Sequence, residues 1–120
     1  RAMRCDACTK VWSNYEVTGL AKGRLGPVER FVAADLDHRG ILVNQSSDSA
    51  VKTVAAAGIG GFRKMQSYAV KASPLRRTVT TEEIGNAAAF LCSDLASGIT
   101  GETTFVDAGV NIMGMVFDED

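Results

Sequence analysis

Tyr15 and Lys22 are the two residues of this sequence best suited to act together on one ligand. They lie seven residues apart in NYEVTGLAK, a stretch whose apolar spacing predicts a helix. At 100° per residue, seven residues fall about 20° short of two full turns. Both side chains therefore project from one face, roughly 10 Å apart along the axis. A phenol and an ammonium on one stripe make a proton donor and a cation that can serve a single bound molecule. Spacing alone leaves a plainer alternative open, a part-buried tyrosine and a solvated lysine.

Other groups offer less. Cys5 and Cys8 form a C-x-x-C pair, the spacing of a metal site or a redox dithiol. No second pair follows and His38 is the single histidine, so a four-ligand zinc site would have to draw Cys92 from the middle of a helix. Cys92 reads more simply as a small core residue. His38 falls in a polar turn, where exposure is expected. Arg76 and Arg77 read as a solvated turn rather than a phosphate site, and Asp107 as a partner for nearby backbone amides.

These residues must be positioned by a chain of 120 residues, 46% hydrophobic and 22% charged, which is the composition of one small globular domain. Thirteen basic residues against fourteen acidic ones leave a net charge of −1, so no general field draws nucleic acid or an anionic membrane. No apolar run approaches the roughly 18 residues that span a bilayer, and no signal-peptide pattern opens the chain. Three cysteines are too few and too odd for a disulfide scaffold. The cytoplasm is the expected compartment.

Residues 1–14 show no clean period and read as a loop or frayed strand. Val17, Leu20, Ala21, Leu25, Val28, Phe31, Val32 and Leu36 recur at three- and four-residue steps and predict a helix from an Asn14 N-cap, kinked or broken near Pro27. Residues 41–43 suit a buried parallel strand with Asn44 at its C-terminal end, and QSSDSAVK after it reads as a loop. A helical turn is expected at 54–57. A helix over 62–72 carries Phe62, Met65, Tyr68 and Ala69 on one side and ends before Pro74. Thr80 and Glu83 fit a capping box for an amphipathic helix running to about Ser97, with Gly98 as C-cap. Residues 103–106 form a second strand, closed by Asp107 and Gly109. The order is that of an α/β unit with parallel strands, although two strands alone make a poor independent core.

NYEVTGLAK resembles the active-site helix of the bacterial NADH-dependent enoyl-acyl-carrier-protein reductases, of the short-chain dehydrogenase/reductase superfamily. Most of that superfamily places the lysine four residues after the tyrosine; the enoyl reductases place it seven after, as here. The likeness continues in register through VN at Val43 and Asn44, TVAAAGIGGFRKM over 53–65 and PLRRTVTTEEIGNAAAFLCSDLASGITGETTFVDAG over 74–109.

What the resemblance implies is hydride transfer from NADH to the β-carbon of a trans-2-enoyl thioester carried by acyl carrier protein, in fatty acid biosynthesis. Tyr15 would hydrogen-bond the thioester carbonyl oxygen as negative charge develops there. Lys22 would bind the nicotinamide ribose, and Val51 and Thr53 would touch the nicotinamide carboxamide and the phosphates. Ala55, Ile59, Phe62 and Met65 would belong to a mobile segment over the acyl chain, with Gly58, Gly60 and Gly61 giving it freedom. A homotetramer is the implied assembly. Some positions depart from the family pattern: Cys5 stands where the family has a second tyrosine, Ser49-Ala50 where it has Gly-Pro, Lys52 at the basic position before Thr53, and Gly26 and Pro27 where it has helix formers.

The implied fold is the C-terminal part of a doubly wound parallel-sheet, Rossmann-like domain. The glycine-rich N-terminal half that holds adenine and pyrophosphate is expected to be absent, so residues 1–120 alone should bind NADH weakly or not at all. A different class of reading makes the chain a non-catalytic module retained for assembly.

Overall fold

The hydrophobic pattern of this chain resolves into three short parallel strands with helices on both faces. The computed structural model describes residues 2–5, by their backbone, together with 20, 22–51, 53 and 60–116. The strands are β1 (Ala2–Cys5), β2 (Gln45–Asp48) and β3 (Thr103–Val106), in the order β1-β2-β3. Both pairings are parallel, with Ala2 opposite Gln45 and Gln45 opposite Thr103. The connections carry α1 (Leu25–Leu36) between β1 and β2, then α2 (Phe62–Ala72) and α3 (Thr81–Leu91) between β2 and β3. This is the α/β architecture expected, with three strands rather than two.

The middle strand corrects the sequence reading. Residues 41–43 are not a strand: Ile41 and Leu42 are exposed, and β2 begins after Asn44. The polar QSSD segment forms it because a central strand satisfies its backbone on both sides, and that pairing outweighs the weak strand preference of serine. Gln45, Ser46 and Ser47 are accordingly almost wholly buried. Asn44 stands at the strand's N-terminal end, where its amide donates to the Ile99 carbonyl (2.7 Å) and its oxygen accepts the Glu102 N–H (3.1 Å).

Side chains alternate across a sheet, so register tells which helix covers which face. Gln45 bonds Thr103 beside it and Glu29 of α1, so one face belongs to α1. Val106, of opposite parity to Thr103, packs with Val51 against the cluster of Val79, Ile84 and Ala108, so the other face belongs to α3. The sheet is covered on both sides, as in doubly wound folds.

The long helix expected from Asn14 lies partly outside the described residues. Lys22 and Gly23 are helical, Arg24 is a turn, and α1 starts at Leu25. Pro27 therefore occupies the first turn of α1, where a missing N–H costs nothing, and the break falls three residues before it. Its sheet-facing stripe also differs from the apolar face expected. Gly26, Glu29 and Ala33 are buried, whereas Val28 and Phe31 point outward, Phe31 being 72% exposed. Gly40, at φ +70°, closes the segment with a Schellman pattern: Ile41 N–H reaches the Leu36 carbonyl and Gly40 N–H the Asp37 carbonyl.

α2 and β3 have the bounds expected. In α2 the inward stripe is Phe62, Met65, Ala69 and Ala72, and Tyr68 turns outward. α3 has the full Thr80/Glu83 capping box but stops at Leu91, with Cys92 as its C-cap. The expected continuation to Ser97 is instead a separate 3₁₀ turn (Asp94–Ala96), and Gly98 lies in a turn beyond it. Cys92 is exposed, not a core residue, because the end of the helix carries it away from the sheet. The helical turn expected at 54–57 lies outside the described residues. Among the described residues no helix is long and apolar enough to cross a membrane.

Candidate active site

In doubly wound sheets ligands sit outside the carboxyl ends of the strands. Here that end of β2 opens into Ser49, Ala50 and Val51, with Thr53 exposed beyond. Val51 is half-buried and anchored on the Val79–Ile84–Ala108 cluster, which fixes the root of the loop. The Ser49 hydroxyl is buried with no hydrogen-bond partner among the described residues, and so is that of Ser46. A buried hydroxyl left unbonded is uncommon, and no local pattern in QSSDSA signals either one.

Lys22 reaches the same end by the run of its helix. Ala33 lies beside Gly101, just before β3: a Cβ built on Gly101 would stand 3.7 Å from that of Ala33. Glu29, one turn earlier in α1, meets Gln45 and, through it, Thr103, the first residues of β2 and β3. Moving back along α1 thus moves forward along the strands. Arg24 keeps right-handed helical angles (φ −78°, ψ −18°), so the chain direction holds through the turn. Continued in the same direction for two further turns, about 10 Å, this path runs toward the level of Asp48 and Ser49, since three strand residues also rise about 10 Å. Lys22 is half-buried.

Phe62 and Met65, both half-buried, follow the loop on the first turns of α2, whose N-cap Gly61 has φ +79°. Tyr15, Ala55 and Ile59 lie outside the described residues, as do Cys8, Lys52 and Gly58. Cys5 is the last residue of β1. The carboxyl end of β2 thus carries buried and exposed hydroxyl groups, and the loop that leaves it leads to the half-buried Phe62 and Met65 of the amphipathic α2.

The other candidates have structural parts. His38 is exposed in a 3₁₀ turn, as expected. Arg77 is paired with Glu83 rather than merely solvated. Asp107 does bond local amides, accepting from Gly109 N–H at 2.8 Å and Asn111 N–H at 2.6 Å.

The family model described as enoyl-(acyl carrier protein) reductase matches residues 2–111. The chain belongs to that family. A curated relative from Haemophilus influenzae, named enoyl-[acyl-carrier-protein] reductase [NADH] FabI, is 56% identical over 102 residues, which are 85% of this chain and 39% of the relative. The Escherichia coli relative of the same name is 48% identical over the same shares. A solved reductase structure from Anaplasma phagocytophilum, in complex with NAD, superposes with a TM-score of 0.86 at 34% identity, covering 96% of this chain and 42% of that one. The chain thus spans about two-fifths of the length of the relatives it matches. The Rossmann-like fold of this reductase-family chain follows from these matches as well as from its own sheet.

Proposed function

We propose that residues 1–120 form the carboxyl-terminal part of one reductase domain that reduces trans-2-enoyl thioesters of acyl carrier protein with NADH, in the cytoplasm. The observation that carries this reading is the family match over 2–111; the run of α1 against the strand direction, which points back from Glu29 toward the carboxyl end of β2, supports it. The residues present suit the cofactor: the ammonium of Lys22, the unbonded Ser49 hydroxyl and the exposed Thr53 offer polar groups where a nicotinamide riboside needs them. NADH, when bound, supplies the hydride delivered to the β-carbon of the thioester.

The chain's own groups do the rest. The Tyr15 phenol donates to the thioester carbonyl oxygen and stabilises the charge that builds on it. The Lys22 ammonium holds the ribose hydroxyls and adds a favourable field at the same oxygen. Val51 and Thr53 orient the nicotinamide and phosphates. Ala55, Ile59, Phe62 and Met65 cover the acyl chain and exclude water from it.

The polypeptide as the cell makes it is assayed for NADH oxidation with a trans-2-enoyl thioester. Turnover is expected, and Tyr15→Phe should lower it about 10²-fold or more, the cost of losing an oxyanion donor. No turnover, or full turnover in Tyr15→Phe, overturns the assignment.

A second reading, an assembly module, is favoured by one observation: Phe31 (72%) exposes apolar surface on the outer side of α1, and Leu20 (76%) exposes more ahead of it. A discrete oligomer in light scattering, with nicotinamide fluorescence unchanged on titration of the polypeptide as the cell makes it, would support this reading over the first. A homotetramer with NADH binding fits the reductase.

A further inference from the structure

Glu29 and Gln45 are a polar pair where apolar residues would pack as well. Glu29 is 4% exposed and Gln45 1%. The Gln45 amide donates through Nε2 to Glu29 Oε2 (2.5 Å) and to Thr103 Oγ1 (2.7 Å), so three side chains join α1, β2 and β3. The rest of the buried stripe of α1 is Gly26 and Ala33, small residues that let helix and sheet approach but give little to interlock. Apolar burial is non-directional and tolerates sliding, whereas a hydrogen bond constrains both distance and angle.

We propose that the Glu29–Gln45–Thr103 chain is a positioning clamp that fixes the axial register of α1 on the sheet, and through it the place of Lys22 at the carboxyl end of β2. Lys22 precedes Glu29 by seven residues, and Arg24 between them keeps right-handed helical angles, so a shift of α1 is passed back to Lys22. A slip of α1 by one residue at the clamp would carry Lys22 about 1.5 Å along the strands and turn it about 100° away. The role of Lys22 toward a nicotinamide nucleotide rests on the function proposed above; its placement by Glu29 does not.

The test separates the two. Lysines of the full chain are reductively methylated with ¹³C, and the Lys22 resonance is followed beside those of Lys64 and Lys71 on α2. Gln45→Leu, which removes both bonds at similar volume, should move the Lys22 resonance and the Lys22 and Gly23 amides while leaving Lys64 and Lys71 in place. Glu29→Gln keeps an acceptor oxygen, and the exchange Glu29→Gln with Gln45→Glu restores a donor and an acceptor. Both should return Lys22 to its original shift. An unmoved Lys22 in folded Gln45→Leu, or a moved one in the exchange variant, overturns the clamp.

If Gln45→Leu does not fold, the exchange variant decides alone by the same criterion. With NADH added, the Kd of Gln45→Leu should rise by up to about tenfold, the worth of one ordinary hydrogen bond, and the exchange should recover it. If the polypeptide as the cell makes it does not bind NADH, the functional reading fails while the Lys22 resonance still judges the clamp.

Discussion

The Arg77 guanidinium meets the Glu83 carboxylate through two hydrogen bonds, Nη1 to Oε2 at 2.9 Å and Nη2 to Oε1 at 2.6 Å. The same carboxylate accepts the Thr80 N–H at 2.8 Å, so the ion pair and the capping box of α3 are one unit. It locks the turn after α2 to the start of α3, the helix that covers the Val51 side of the sheet.

Bonding to Arg77, and next to the Thr80 backbone, holds the Glu83 carboxyl down at about 2, from an ordinary 4.5. A carboxyl lowered in the folded state contributes stability that is complete above about pH 4.5 and is lost as pH falls toward 2. Urea unfolding over that range should show an acid limb that Glu83→Gln flattens. The pair is open to solvent, so added salt should shrink the effect. A ¹³C titration placing Glu83 near 4.5 would show that the pair opens in solution.

Thr80 contributes separately as the N-cap, its Oγ1 accepting the Glu83 N–H at 3.2 Å. Thr80→Ala should lower unfolding stability by about 1 kcal/mol, and Thr80→Ser should retain most of it. Equal losses in the two variants would assign the effect to the threonine methyl rather than the cap.

The capping box, α2 and β3 were legible because each is announced by residues adjacent in sequence. β2 was not, since its identity depends on pairing with strands about forty to sixty residues away, which no local pattern of QSSD reveals. The Lys22 position was legible through a helix spacing; its support was not. Glu29 appears in the sequence as one of two adjacent charges, Glu29 and Arg30, within an apolar run, and only the buried Gln45 opposite turns it into a contact. Ser49 looked like a simple departure from a family pattern, and its buried hydroxyl emerges only from the end of β2.

Asn44 bridges the start of β2 to the loop before β3, with the backbone bonds from Gly101 N–H to the Val43 carbonyl and from Gln45 N–H to the Glu102 carbonyl on either side. Replacing it by leucine removes two part-buried hydrogen bonds, each worth about 0.5–1.5 kcal/mol. Asn44→Leu should therefore destabilise the chain by more than Thr80→Ala, with amide exchange rising first at Glu102 in the loop before β3. Protection lost uniformly across all elements would assign Asn44 to global stability instead of this junction.

Two glycines should respond oppositely to the same substitution. Gly109 has φ +88°, and a Cβ there would stand 2.9 Å from both Cδ and Cγ of Pro74, in the turn that follows Asp107. Gly109→Ala combines a left-handed backbone with a clash against a rigid ring, and a loss of roughly 2 kcal/mol or more is expected. Gly85 is exposed within α3 and a Cβ there meets nothing within 4 Å. Gly85→Ala should stabilise the chain by about 0.5–1 kcal/mol, because alanine has less backbone freedom to lose when the helix forms. Paired thermal melts decide the matter: if Gly109→Ala is tolerated as well as Gly85→Ala, the turn at Pro74 does not hold the end of β3 in the way its geometry requires.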